Sequence, residues 1–213
     1  MQRLAAERYT RSFQAKCVAE QRRTIKAAWV TLRLMPDELE VLKIVSERLE
    51  AAHIPFMLTG SFAMAYYGQP RMTRDLDLVV SLGEEDVHGI VAAFSPDFYI
   101  DADDTRAAIL TQRQFNLMHN ATGIKVDLIV RKSAEYRKVE FARRQLVVIG
   151  GVKTWIVSRE DLILSKLVWT RDTKSELQRR DVKNLLDETM DREYLSHWAD
   201  RLGVTDILQE IAE

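Results

Sequence analysis

The chain has 213 residues, 46% hydrophobic and 30% charged, with a net charge of −1; this allows one sizeable core with an appended helical piece and excludes fibrous, collagen-like or extensively disordered chains. Cys17 is the single cysteine, which excludes an internal disulfide framework and a thiol pair for zinc and leads us to expect a reducing, cytoplasmic setting. No apolar run approaches the ~20 residues of a membrane-spanning helix, and the N-terminus lacks the apolar stretch of a secretory signal, so no membrane partner is expected.

Residues 1–34 form a basic leader, helical or disordered. It holds Arg3, Arg8, Arg11, Lys16, Arg22, Arg23, Lys26 and Arg33 against Glu7 and Glu20, and its apolar positions make no clean stripe. From Pro36 to His53 the pattern predicts a helix. Pro sits at an early position, Asp37, Glu38 and Glu40 lie near the positive end of the dipole, and Val41, Leu42, Ile44, Val45 and Leu49 supply an apolar face. Phe56–Thr59 then reads as a short strand, Gly60–Ser61 as a turn, and Phe62–Tyr67 as a helix ended near Gly68 and Pro70.

Asp75–Val80 reads as a strand, followed by a helix from about Glu84 to Phe94. Gln114–His119 and Ile124–Val130 read as two strands joined by the turn Asn120-Ala121-Thr122-Gly123. Gln145–Ile149 and Val152–Val157 pair around Gly150-Gly151, a two-residue hairpin turn. From Ser158 onward the pattern is helical: Asp161 three residues later makes a cap-like start, Leu162, Ile163, Leu167 and Val168 form a stripe, and two or three further helices follow. The expected architecture is α/β (α+β), a mixed sheet with helices packed on it and then a helical C-terminal region.

Alternate side chains of a strand share a face, so Asp75 and Asp77 point one way and Leu76, Leu78 and Val80 the other. Asp127 repeats the arrangement, because Ile124, Val126, Leu128 and Val130 alternate with Lys125, Asp127 and Ile129. If the two strands are neighbours ~4.8 Å apart, three carboxylates converge on one patch. Acids this close repel one another unless a cation sits among them. Hard oxygen donors without nearby His or Cys favour Mg²⁺ or Mn²⁺, and two such ions could activate a hydroxyl and stabilise a leaving pyrophosphate. Thr59-Gly60-Ser61 is suited to hold a triphosphate: Gly allows close backbone approach, Ser adds a hydroxyl, and the following helix directs amides at the anion. Arg71 and Arg74, between the turn and the acids, suit phosphate oxygens.

These residues resemble a known family. Gly60-Ser61, followed after thirteen residues by Asp75-Leu76-Asp77 with Arg71-Met72-Thr73-Arg74 immediately before it, and the later strand Asp127, are similar to the signature of the DNA polymerase beta-type nucleotidyltransferase superfamily. The nearest subgroup is the AbiEii-like nucleotidyltransferase toxins of abortive-infection toxin–antitoxin systems. Leu162-Ile163-Leu164-Ser165-Lys166-Leu167 looks like its Leu/Lys helix, and Arg180-Asp181-Val182-Lys183-Asn184-Leu185-Leu186 like its later basic helix. The resemblance runs from about Met35 to Leu186.

The resemblance implies a nucleotidyltransferase core at residues 35–157 and a helical region at 158–213. It implies that Gly60 and Ser61 hold nucleotide phosphates, that Asp75 and Asp77 bind both metals, that Asp127 binds the metal nearest the acceptor hydroxyl, and that Lys166 and Asp181 line the nucleotide or acceptor side. The implied partners are an NTP, an RNA acceptor such as a tRNA 3′ end, and a cognate antitoxin. A small molecule or protein acceptor is open, as is a non-catalytic role binding RNA or an antitoxin. Against these readings stand a lysine whose stem lies along an apolar face and a surface ion pair of Asp181 with Arg179, Arg180 or Lys183.

Other motifs carry less. Asp101-Ala102-Asp103-Asp104-Thr105 opens like a calcium loop, but Arg106 and Gln112 stand where Gly and Glu are required. His53, His88, His119 and His197 lack metal-ligand spacing, and Asn120-Ala121-Thr122 has no glycosylation role in the cytoplasm. Trp155, Trp169 and Trp198 are expected in packing, with Trp29 in the basic leader exposed.

Overall fold

The computed structural model describes residues 36–68 and 75–213. The leader at 1–34, with Trp29, and both Arg71 and Arg74 lie outside the described residues.

Helix α1 (Pro36–Ala51) buries Val41, Leu42, Val45 and Leu49, the face expected from their spacing. The described residues form seven strands, β1 (Phe56–Leu58), β2 (Leu76–Val80), β3 (Phe98–Tyr99), β4 (Gln114–His119), β5 (Lys125–Val130), β6 (Gln145–Ile149) and β7 (Val152–Ile156). Their order across the sheet is β3-β4-β5-β2-β1-β7-β6, and α1 packs on β7. Neighbouring pairs β1–β7 and β2–β5 are parallel, and the others antiparallel. The result is the α/β architecture expected, with a mixed sheet flanked by helices. Central β1 is buried throughout, because both of its faces are covered.

Three differences from the sequence reading matter for the site. Gly60 and Ser61 are the first two residues of helix α2 (Gly60–Tyr67) rather than a separate turn. The predicted helix at 84–94 is a 3₁₀ turn (Glu84–Asp86) leading into α3 (Val87–Phe94). Strand β3 and the helices α4 (Ala102–Thr111) and α5 (Glu135–Ala142) carry no element in that reading. Asp101 serves as the N-cap of α4, its carboxylate accepting from the Asp104 amide at 2.8 Å.

The C-terminal helices are α6 (Arg159–Thr173), α7 (Glu176–Leu185), α8 (Arg192–Arg201) and α9 (Thr205–Ala212). Ser158 caps α6 as expected, its Oγ accepting from the Asp161 amide at 3.2 Å. Asp161 is fully buried and ties α6 to its neighbours: it accepts from Tyr194 on α8 at 2.7 Å, from Tyr136 on α5 at 3.3 Å and from Arg143 Nε at 3.2 Å. No helix among the described residues is long and apolar enough to cross a membrane.

Candidate active site

The site is organised by the pairing of β2 with β5. Leu76, Leu78 and Val80 lie opposite Val126, Leu128 and Val130, and all six are buried in the core. The same register sets Asp77 directly opposite Asp127 on the other face, with Val79 opposite Ile129. Asp75 lies just before β2 and is exposed, whereas Asp77 is half-buried and Asp127 buried.

Asp77 also meets helix α2. The Thr59 amide donates to the Asp77 carbonyl at 2.8 Å, and the Ser61 backbone amide hydrogen-bonds the Asp77 carboxylate. Gly60 has φ +62°, and a Cβ there would stand 1.9 Å from Asp77 Oδ2. Glycine is therefore required twice, for the backbone angle and for the space the carboxylate fills. Ser61 is buried, and Thr59 places no side-chain cap on the helix, so the Asp77 carboxylate on the Ser61 amide is the side-chain acceptor at the start of α2 among the described residues.

The acids interact electrostatically. Burial raises the Asp77 pKa, with Asp127 and then Asp75 adding to the effect, while the Ser61 amide and Lys125 oppose it. Lys125, two residues before Asp127 on the same strand face, is the cation of this cluster. Its Nζ donates to Asp127 Oδ2 at 2.9 Å, which raises the Lys125 pKa, and lies 2.9 Å from Oδ1. Oδ1 remains buried with no aligned hydrogen-bond donor. That oxygen, in ionic contact with Lys125 but without an aligned hydrogen bond and beside the Asp77 carboxylate, suits a hard divalent cation. Among the described residues, however, no group of three or more His, Cys, Asp or Glu side chains is arranged so that it could hold a metal. The expected convergence is thus two facing carboxylates, with Asp75 at their edge.

From this corner a cleft of about 480 Å³ runs across the sheet face, bounded by Gly60, Ser61 and Asp77 at one side and by Arg131 and Lys132 after β5 at the other. Its size is that of a small-molecule site. Arg131 Nη2 reaches Ser81 Oγ at 3.3 Å, while its buried Nε has no hydrogen-bond partner. Helix α5 contributes Arg137, which donates to Glu140 at 2.8 Å and to Ser165 of α6 at 2.6 Å. Burial raises the Glu140 pKa against the opposing effect of Arg137 and Ser165.

Lys166 and Asp181 come together, as a buried pair. Lys166 Nζ lies 2.6 Å from Asp181 and 3.0 Å from Gln178 Oε1, and Lys166 and Gln178 line the cleft. The pair is not the surface ion bridge considered from sequence, since both side chains are about 5% exposed or less. Trp169 corrects another expectation. It is 57% exposed and lines the cleft, whereas Trp198 is buried as expected. His119 is a satisfied core residue, its Nδ1 2.9 Å from Thr122 Oγ1 and its ring against Phe98.

Sequence reasoning gave no role to Lys125, Arg131, Lys132 or Arg137 and placed Trp169 in packing. The first was within reach, because period-two spacing alone puts Lys125 beside Asp127. Arg131 and Lys132 directly follow the strand and were accessible by the same logic, while Arg137 depends on a helix the sequence does not announce.

No protein-family model matches this chain, and no curated protein matches it in sequence. Solved structures do match. An antigenic nucleotidyltransferase-like protein from Paracoccidioides brasiliensis aligns at 16% identity and a TM-score of 0.52, covering 83% of this chain and 94% of that protein. The antibiotic-resistance factor ANT(2″)-Ia aligns in solution at 13% identity and a TM-score of 0.52, over 80% of this chain and 95% of its own. Its crystal structure in complex with adenylyl-2″-tobramycin aligns at 13% identity and 0.53, over 79% and 98%. At these identities the likeness is one of fold, and the fold of this chain is that of nucleotidyltransferase-like proteins.

Proposed function

We propose that the chain is a metal-dependent nucleotidyltransferase, moving a nucleoside monophosphate from an NTP to an acceptor hydroxyl with release of pyrophosphate. The observation that carries this reading is the Asp77–Asp127 pair, set face to face by strand register, with Asp77 pressed against Gly60 and lining a cleft together with Gly60 and Ser61. A purely structural role would leave two acids opposed for no gain, since like charges directly across a ladder destabilise it.

Asp77 and Asp127 would hold Mg²⁺ or Mn²⁺, with Asp75 the third candidate ligand. Such an ion supplies Lewis-acid stabilisation of the charge on the transferring phosphoryl group. The start of α2 binds phosphate oxygens through backbone amides and Ser61 Oγ, and Arg71, Arg74, Arg131 and Lys132 supply positive charge for the same oxygens. Asp127 takes the proton of the acceptor hydroxyl as its oxygen bonds to the α-phosphorus. The bond from that phosphorus to the bridging oxygen breaks, and pyrophosphate leaves in line. Lys166 and Asp181 shape the wall of the cleft on the nucleotide or acceptor side.

For the acceptor we favour RNA, a tRNA 3′ end in particular, on the resemblance to the toxin subgroup and the basic sequence of residues 1–34. A toxin role with a cognate antitoxin follows from the same resemblance. A small-molecule hydroxyl is the second reading, favoured by the fold likeness to ANT(2″)-Ia.

The test is incubation of the full chain with each α-labelled NTP, Mg²⁺ or Mn²⁺, and either total RNA or an aminoglycoside panel. Label on RNA from wild type and none from Asp77→Ala supports the reading; label on an aminoglycoside or on the protein itself moves the acceptor. Absence of transfer to all of them, with salt-sensitive RNA binding that survives Asp75→Ala, would select a non-catalytic binding protein instead.

A further inference from the structure

Large apolar side chains exposed on this molecule are few among the described residues, and Trp169 is one that lies in the cleft itself. It belongs to a stripe of α6 at helical spacing, Leu162, Ser165, Lys166, Trp169, Asp172 and Thr173, all of which line that cleft. Eleven residue steps of helix carry the stripe about 16 Å.

The stripe is graded. Helix α6 begins beside the carboxylate corner, because the Val157 amide donates to the Leu58 carbonyl at 3.0 Å just before Thr59 and Gly60. Leu162 is buried, Ser165 and Lys166 are held in polar networks, and Trp169, one turn on, is 57% exposed. Trp169 is the aromatic side chain among the residues lining the cleft, and an indole open on a cleft wall offers a flat face on which a planar ligand can stack.

Beyond the indole the chemistry is that of acceptors. The Asp172 carboxylate is 2.8 Å from Arg171 Nε and more than half exposed. Thr173 donates its hydroxyl proton to the Trp169 carbonyl at 2.8 Å, so its oxygen offers lone pairs outward. A base with an exocyclic amino group offers this edge up to two N–H donors on one atom, whereas uracil offers only its single ring N3–H.

We propose that Trp169 is the platform on which the base of the nucleoside triphosphate stacks, with Asp172 and Thr173 meeting the amino group of adenine, guanine or cytosine. The presence of a nucleotide rests on the nucleotidyl-transfer reading; the assignment of its base to this wall does not follow from that reading and stands on the exposed indole.

The test is calorimetric binding of ATP, GTP, CTP, UTP and inorganic triphosphate to full-length wild type, Trp169→Ala and Trp169→Phe, with Mg²⁺ present. Loss of one stacked base predicts a roughly 5- to 150-fold weaker binding of ATP by Trp169→Ala. Inorganic triphosphate should bind all three proteins equally, Trp169→Phe should keep most of the ATP affinity, and UTP should bind wild type most weakly of the four. ATP affinity unchanged in Trp169→Ala overturns the platform, as does an equal loss for inorganic triphosphate, which would mark a structural defect. A Trp169→Ala enzyme with normal ATP affinity and a raised KM for acceptor alone also overturns it, giving the wall to the acceptor. UTP bound as tightly as ATP overturns the amino-group edge. Wild type that binds no nucleotide removes both this inference and the function it rests on, whereas Trp169-dependent binding without label transfer leaves the platform standing and removes the catalysis.

Discussion

Adding one methyl group at Gly60 tests the geometry of the site most directly. A Cβ there would lie 1.9 Å from Asp77 Oδ2, 2.6 Å from its Cγ and 2.8 Å from its Cβ, at a backbone angle of φ +62°. The angle alone costs an L-residue about 1–2 kcal/mol. To make room the Asp77 carboxylate must swing away, giving up its bond from the Ser61 amide, a charge-assisted contact worth about 1.5–3 kcal/mol. Against this, alanine narrows the unfolded ensemble and returns about 0.4–1 kcal/mol. Gly60→Ala should therefore lose about 2–4 kcal/mol in urea denaturation. Displacing Asp77 by an ångström should also lower nucleotidyl transfer by about 10²-fold. A double-mutant cycle separates the causes: in an Asp77→Ala background the atoms at 1.9 and 2.6 Å are absent, so the penalty should fall toward the backbone cost alone. If Gly60→Ala costs the same with and without the Asp77 carboxylate, or costs nothing, the close approach of turn and acid is wrong.

The buried Lys166–Asp181 pair predicts that Lys166→Met, which removes the ammonium from the buried acid, costs about 3–5 kcal/mol in stability, and that adding Asp181→Leu recovers most of it; recovery of fold without activity would give Lys166 a role beyond packing. Asp77, whose pKa is raised by burial first and by Asp127 second, holds its proton more tightly when folded than when unfolded. Its contribution to stability is therefore greatest below the unfolded value of about 3.9 and is lost as pH rises through the folded value. In EDTA, Asp77→Asn should have a Tm that gains on wild type as pH is raised from about 3.9, and Mg²⁺ should raise the Tm of wild type alone; parallel curves would refute this. Asp161→Ala should lose about 3–5 kcal/mol by leaving Arg143, Tyr136 and Tyr194 without their shared acceptor, read as a lowered midpoint in guanidinium.

The parts of this fold that were legible in sequence are those where period and punctuation agree. The alternation in Leu76–Val80 and Lys125–Val130, the Gly150-Gly151 turn and the Ser158 cap each have a local cause, and each is where it was expected. What sequence could not give was the register that sets Asp77 against Asp127, because strands separated by some fifty residues pair through packing that no local signal encodes. Helix α5 escaped because Glu-Tyr-Arg-Lys-Val-Glu-Phe-Ala has too few apolar residues to announce a stripe, although Tyr136 and Phe141 are buried. Trp169 was misplaced for the opposite reason: α6 buries Leu162, Ile163, Leu164 and Leu167 at near-consecutive positions, so apolar character around the helix hides which face meets the cleft.

The carboxylate corner is costly by design of the ladder that builds it. Parallel pairing of β2 and β5 forces Asp77 and Asp127 together whenever Leu76, Leu78, Val126 and Leu128 take their core positions, so the apolar face of the strands dictates the repulsion on the polar face. Lys125 lessens this repulsion by reaching Asp127, yet it comes from the strand position that cannot also satisfy Asp77, whose carboxylate turns to the Ser61 amide instead. Among the described residues Asp127 is therefore held by Lys125, and Asp77 by the Ser61 amide with Lys125 acting on it electrostatically. Lys125 Nζ lies 2.9 Å from both Asp127 oxygens, yet Oδ1 stays buried without an aligned hydrogen bond among the described residues. The corner is thus compensated enough to fold and incompletely enough to bind, which is the condition a site for a doubly charged ion and a polyphosphate has to meet.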